Sequence, residues 1–434
     1  MHRAVAADVG LWVVLCCGLA GCAARSGPSQ LAPSTQPADG QAAGQWLQWR
    51  GPTRDGRVAA DVTFPESLQD DRLQLLWRAE IAEGYSSPIV TADRIFTVET
   101  LDKQTEIVRA FNRATGRQIW ATDWAGSMKV PFFAARTGSW VRSTPACDGR
   151  YLYVGGMRDV LVCLDIADGK VRWKVDFMAR YGTPLPSFGL VCSPLVVGDH
   201  LYIQAGASLV KLDKHTGNEV WRTLEDGGAM MGSAFSSPMP ARLCGKDQVI
   251  VQTRRLLAGV DPDTGRVLWS TEVEASMKMN ILNPAVIEGD RVFTSTYGGG
   301  SMVYAVTRDG EKWSVTQVLQ SPVQGYMSTP IILGGHAYLH RRNQKLSCLN
   351  LLTGQEMWTT AEKFGEYSSL ITDGNRILGL SCEGELYLFV ATPEKFDLLD
   401  TRQISQSPTW AHVTVCGDQL IVRELKGLAV YRWR

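Results

Sequence analysis

Asp261-Pro-Asp-Thr-Gly265-Arg-Val-Leu-Trp269 is one of five copies of a single phrase. The others are Asn112-Arg-Ala-Thr-Gly116-Arg-Gln-Ile-Trp120, Asp165-Ile-Ala-Asp-Gly169-Lys-Val-Arg-Trp173, Asp213-Lys-His-Thr-Gly217-Asn-Glu-Val-Trp221 and Asn350-Leu-Leu-Thr-Gly354-Gln-Glu-Met-Trp358. Asp309-Gly310-Glu-Lys-Trp313 is a shortened copy. Successive tryptophans lie 53, 48, 48, 44 and 45 residues apart. Each part has a physical task. Asp or Asn accepts hydrogen bonds from backbone N–H groups just downstream and starts a turn. Gly supplies the positive φ that closes a hairpin. The residues after it alternate polar and apolar as a strand does, and Trp offers the largest apolar area for packing on a neighbouring unit.

Upstream of each phrase lies a second hairpin, as in Ser193-Pro-Leu-Val-Val-Gly-Asp199-His-Leu-Tyr-Ile203. Each unit therefore reads as four short antiparallel strands per roughly 45 residues, the signature of a propeller blade. First strands starting at Ser87, Thr144, Ser193, Ser237, Asn283, Thr329, Ser369 and His412 predict eight blades. The seventh replaces the Trp phrase with Ala391-Thr-Pro-Glu-Lys-Phe396, and the eighth reaches Arg434 with only three strands. Leu75-Leu-Trp77-Arg-Ala-Glu-Ile81 is a strand without a blade, placed to complete the eighth and remove its open edge. The fold expected is all-β, an eight-bladed propeller over 73–434, with Trp77, Trp120, Trp173, Trp221, Trp269, Trp313 and Trp358 as the structural tryptophans of its blades.

The chain's 434 residues are 45% hydrophobic, and 44 basic side chains balance 44 acidic ones. That balance provides no bulk field for nucleic acid. His2 and Arg3 precede an apolar run from Val9 to Ala20, too short for a stable span and suited to a secretory signal over 1–21. The run ends Leu19-Ala20-Gly21-Cys22, which resembles the lipobox of bacterial lipoproteins. By that resemblance Cys22 is lipidated and the protein is exported and anchored facing the periplasm, the outer membrane being favoured. Residues 22–45, rich in Ala, Gly, Ser, Pro and Gln, read as a flexible linker spanning roughly 25–30 Å. Residues 46–72 follow as an extended arm whose Trp46 and Trp49 pack on the ring. The seven cysteines beyond Cys22 are spread singly and read as buried thiols rather than a disulfide framework.

The phrase, its period and the ring closure resemble the pyrroloquinoline-quinone-type repeat of the eight-bladed quinoprotein dehydrogenases. They equally resemble the lipoprotein propeller of the outer-membrane β-barrel assembly machine. The first resemblance implies a quinone oxidoreductase of alcohols or sugars, with the cofactor clamped by a Trp and a disulfide of adjacent cysteines and calcium held by Glu, Asn and Asp. The only Cys-Cys pair, Cys16-Cys17, falls in the signal, and no carboxylate cluster stands out. No catalytic or metal-ligating residue is therefore assigned. The second resemblance implies a cofactor-free, monomeric scaffold whose partners are envelope or outer-membrane proteins.

A third reading is a carbohydrate- or peptide-binding module. Residues just before each first strand should ring one mouth of the channel: Tyr85, Trp140, Arg142, Asn280, Tyr326, Tyr367, Trp410 and His412. Aromatic faces with a few polar groups suit such ligands. Ser-Pro and Thr-Pro at these points read as strand starters, and the long apolar loops 123–141 and 176–191 as a lid over the mouth.

Overall fold

A computed structural model of the protein describes residues 44–226 and 234–433. Cys22, the signal and most of the linker lie outside the described residues. Eight four-stranded antiparallel sheets follow one another around a central channel. Seven are built from consecutive strands. The eighth pairs Leu73–Glu80 with Gly427–Trp433, joining the two ends of the propeller. Apolar side chains collect between neighbouring blades rather than in a single core. One such cluster sets Phe96 and Val108 against Leu152 and Val162; another sets Leu201 and Val210 against Tyr153 and Leu161.

The tryptophan phrase is an interblade lock. Indole N–H groups of Trp77, Trp120, Trp173 and Trp221 donate to the carbonyls of Arg113, Ile166, Lys214 and Pro262, each the second residue of the next blade's turn. The same ring packs on that turn's glycine: a Cβ on Gly169 would meet Trp120 at 2.6 Å. Gly at this position thus provides both positive φ and close approach. Blade 5, with the shortened turn, departs from the pattern. Trp269 bonds Gln248 within its own blade, and the indole nitrogen of Trp313 is buried without a partner.

First-strand pairing starts later than the sequence suggests. It begins at Ile89, Ala146, Leu195, Met239, Ala285 and Ile331, directly after the proline in each case. Proline has no N–H to give to the ladder, and the residue before it bonds sideways instead. Ser87 N donates to Thr144 Oγ1, Thr144 N to Ser193 Oγ, Ser193 N to Ser237 Oγ, Ser237 N to Asn283 Oδ1 and Asn283 N to Thr329 Oγ1. Ser368 N to Ser328 Oγ, Val413 N to Ser369 Oγ and His412 N to Ser87 Oγ complete the circle. Every junction is bridged.

Cysteines 147, 163, 192, 244, 348, 382 and 416 are all free thiols, and all except Cys244 are buried.

Candidate functional site

The arm before the propeller is not simply extended. It folds into turns across one end of the channel. Trp46 exchanges backbone hydrogen bonds with Val90 of blade 1, Leu47 O accepts Cys147 N of blade 2, and Gly56 and Val58 bond Thr372 of blade 7. Between these anchors Arg50 and Arg54 adopt left-handed backbone conformations, φ 59° and 61°. Their side chains enter the hub. Arg50 donates to the carbonyls of Thr329 and Pro330 at 2.9 Å, and Arg54 to those of Pro194 and Ser193 at 2.9 and 3.1 Å. Both are fully buried, and burial lowers each pKa to about 10, so both remain cations at neutral pH. Carbonyl oxygens of two separate blades solvate them, which is how a buried guanidinium avoids its full desolvation cost.

Trp49 lies above this pair, with the two guanidinium carbons 5.6 and 5.7 Å from its ring centre. It is the floor of a cup that opens at the other end of the channel. Thr144, Ser193, Ser237, Asn283 and Thr329 of the hydrogen-bonded circle form the wall. Tyr85, Arg142, Phe188, Phe235, Met327 and Trp410 surround the opening. Among the described residues, no Asp or Glu lines the cup. Trp410 stacks between Tyr85 and Tyr367, centroids 5.7 and 5.3 Å apart, and the Arg142 guanidinium lies 5.5 Å from the Tyr85 ring centre.

His412 stands edge-on to Trp49, with its Nε2 3.3 Å from the Tyr367 hydroxyl. Burial and then the nearby Arg50 push its pKa down to about 3, so the ring is neutral. Assigning the tyrosine as donor puts the imidazole proton on Nδ1, a buried atom without a partner. Arg142 Nε is likewise enclosed and unpaired, while Nη2 is held by the Gly138 carbonyl at 2.7 Å.

Of the eight residues expected at the mouth, Tyr85, Arg142, Tyr367, Trp410 and His412 line the cup. Trp140 lies behind Tyr85 and packs on Gly138, where a Cβ would meet the indole at 1.9 Å. Asn280 is buried and donates to Thr253 O, leaving Ile281 to face the cup. Tyr326 turns away to Tyr297, with its neighbour Met327 at the mouth. Trp49 was outside the expected set, because nothing in the repeat pattern reveals that the arm crosses the hub. The hydroxyl circle does carry a sequence signal: an acceptor side chain recurs before proline in six blades.

The loops expected as a lid divide their roles. Phe188 and Val191 reach the cup, whereas the helix Phe177–Tyr181 buries Phe177 between blades 2 and 3. The donor set does not fit calcium-bound quinone, since among the described residues no carboxylate lines the cup and no two cysteines are adjacent.

The family described as outer membrane protein assembly factor BamB matches residues 103–360. Outer membrane protein assembly factor BamB of Yersinia pestis is 22% identical over 369 residues, covering 81% of this chain and 86% of that protein. The crystal structure of BamB from Moraxella catarrhalis superposes with a TM-score of 0.61 at 14% identity, covering 83% of this chain and 98% of that one. Quinohemoprotein alcohol dehydrogenase ADHIIG from Pseudomonas putida HK5 also gives 0.61 at 14% identity, covering 90% and 80%. At that identity both superpositions establish the fold alone.

Proposed function

Since the chain belongs to the family of outer membrane protein assembly factor BamB, we propose that it is a non-catalytic scaffold that binds protein partners during outer-membrane protein assembly. The observation that carries this is the construction of the cup. A bridged circle of blades and a plug of buried arginines make one rigid, single-mouthed, aromatic-lined recess. A rigid frame that presents loops at one face suits recognition. Among the described residues the recess is lined by no carboxylate, and no cofactor belongs to this reading. Lipidation at Cys22 would anchor the protein in the outer membrane, facing the periplasm.

The test is site-specific photo-crosslinking in intact envelopes. A photoreactive residue at Phe132, beside the mouth, should trap a component of the outer-membrane assembly machinery or one of its client proteins, and Cys22→Ser should release the protein from the membrane fraction. Dye-linked oxidation of alcohols or sugars that depends on added quinone and calcium would overturn the scaffold reading.

A further inference from the structure

Lys312–Ser321, the outer strand of blade 5, is built unlike the outer strands of the other blades. It has ten residues where the others have four to eight. From Trp313 to Ser321 nine residues run without a charge, a proline or a glycine, whereas no other outer strand has more than five uncharged residues in a row. Arg78, Asp123, Lys174 and Arg222 interrupt the outer strands of blades 8, 1, 2 and 3. Asp400 of blade 7 is bonded by Ser67 and Gln69 of the arm. Short, charged or covered edges are how sheets avoid pairing with other chains. Blade 5 uses none of these beyond Lys312, and Val318 is 51% exposed there.

The backbone of this edge is also set out to receive a partner. The sheet of blade 5 ends at Lys312–Ser321. Val306 N donates inward to Asp290 O, so Val306 and Val315, opposite each other in the register, are a pair without mutual hydrogen bonds. Val315 therefore turns its N–H and C=O outward, and so do Trp313 and Gln317, two residues to either side. The register shift falls beyond them, between Gln317 and Leu319. Ser314 and Thr316 are exposed, as are Thr307–Asp309 at the end of the preceding strand, so the hairpin stands clear of its neighbours. Reversed about Val315, the segment matches itself. Val315 falls opposite Val315, Ser314 opposite Thr316, and Lys312 opposite the uncharged Val318. A β-branched pair and hydroxyl pairs with no like charges opposed are favourable cross-strand neighbours.

We propose that this edge pairs with the same edge of a second copy of the chain, antiparallel about a two-fold axis at Val315. Such an interface is isologous, each copy giving and taking the same hydrogen bonds. One pair of strands is a small interface, so the contact is weak and reversible. With one such edge per chain, association stops at two copies. This goes beyond the scaffold reading, does not depend on it, and departs from the monomer that the resemblance implies.

The test uses the register. Ser314 of one copy and Thr316 of the other would face each other as a pair without mutual hydrogen bonds, with Cα atoms about 4.5 Å apart and within reach of a disulfide. The full chain carrying Ser314→Cys with Thr316→Cys, oxidised in intact envelopes, should give a covalent dimer on non-reducing gels that a thiol reductant removes. Either cysteine alone, and the unaltered chain, should give little. Gln317→Pro, added to the cysteine pair, removes an outward N–H and should cut the dimer by about fivefold or more. In sedimentation equilibrium the detergent-solubilised full chain should rise with concentration toward two copies. Ser314→Lys with Thr316→Lys, which sets lysines face to face, should hold it at one. Thermal midpoints of the proline and lysine variants separate lost pairing from lost fold. No dimer from the cysteine pair, equal dimer from a single cysteine, or a single-copy mass at every concentration would overturn the proposal. A photoreactive residue at Thr316 that traps another envelope protein in place of a second copy would assign the edge to that partner and overturn it as well. Crosslinking at Phe132 tests the scaffold separately, so either reading can fail while the other stands.

Discussion

Single side chains in this ring are judged by what the neighbouring blade asks of them. Trp221 is buried, donates to Pro262 O and fills the space over Gly265. Trp221→Ala should therefore cost about 3–5 kcal/mol, read from denaturant midpoints. Trp313→Ala should cost clearly less, because that indole has no hydrogen bond and its blade lacks the full turn. Glu106 is a buried carboxyl that accepts from Met157 N and Trp124 Nε1, and burial pushes its pKa up to about 7. It binds its proton more tightly folded than unfolded, so stability falls as pH rises from about 4.5 to about 7. Glu106→Gln, which leaves one of two donors unmet, should give a lower but flatter profile across that window. His412 has the opposite sign. Its pKa is depressed to about 3, so its contribution is held above about 6.5 and lost as pH falls below that. His412→Asn should remove this acid-side loss, measured by the same midpoints.

At the level of elements, the hydroxyl circle and the arm do separate work. Ser237 Oγ accepts from the buried Ser193 N at 2.9 Å inside the hub. Ser237→Ala strands a buried N–H and should cost about 1–3 kcal/mol, while Thr144→Ser, which keeps the acceptor, should be close to neutral. The arm depends on its turns. Gly56 sits at φ 88°, and a Cβ there would meet Ile331 Cδ1 at 2.7 Å and Leu370 O at 3.1 Å. Gly56→Ala should loosen the plug by about 1–3 kcal/mol without unfolding the blades. Limited trypsin digestion is the check: Arg50, Arg54 and Arg57 should become cleavable well before any site in the ring. If they stay protected in this variant, the arm's turns are held by something other than that glycine.

The whole molecule is a circle closed by its own ends, and its stability depends on that closure. Leu73–Glu80 covers the last strand of blade 8, and Arg423 reaches the carbonyls of Ser86, Val98 and Ala82 across the same junction. A chain lacking residues 44–81 should leave Gly427–Trp433 as an open edge and self-associate with concentration in sedimentation, as unpaired strand edges do. Its failure to associate would mean that another segment covers the edge. Blade number, strand order and ring closure were legible from residue order alone, because each repeat unit carries its own turn residues and its tryptophan at fixed spacing. Five of the eight mouth residues were legible for the same reason, since the loop before every first strand meets the same hub. Asn280 and Tyr326 show the limit: both occupy that position, yet their rotamers serve Thr253 O and Tyr297 instead. What only the tertiary structure decided was the character of the channel. Trp49, Arg50 and Arg54 become floor and plug through hydrogen bonds to carbonyls more than a hundred residues away. A repeat pattern encodes contacts that recur from blade to blade, whereas a single arm crossing the hub makes each of its contacts once and leaves no period to read.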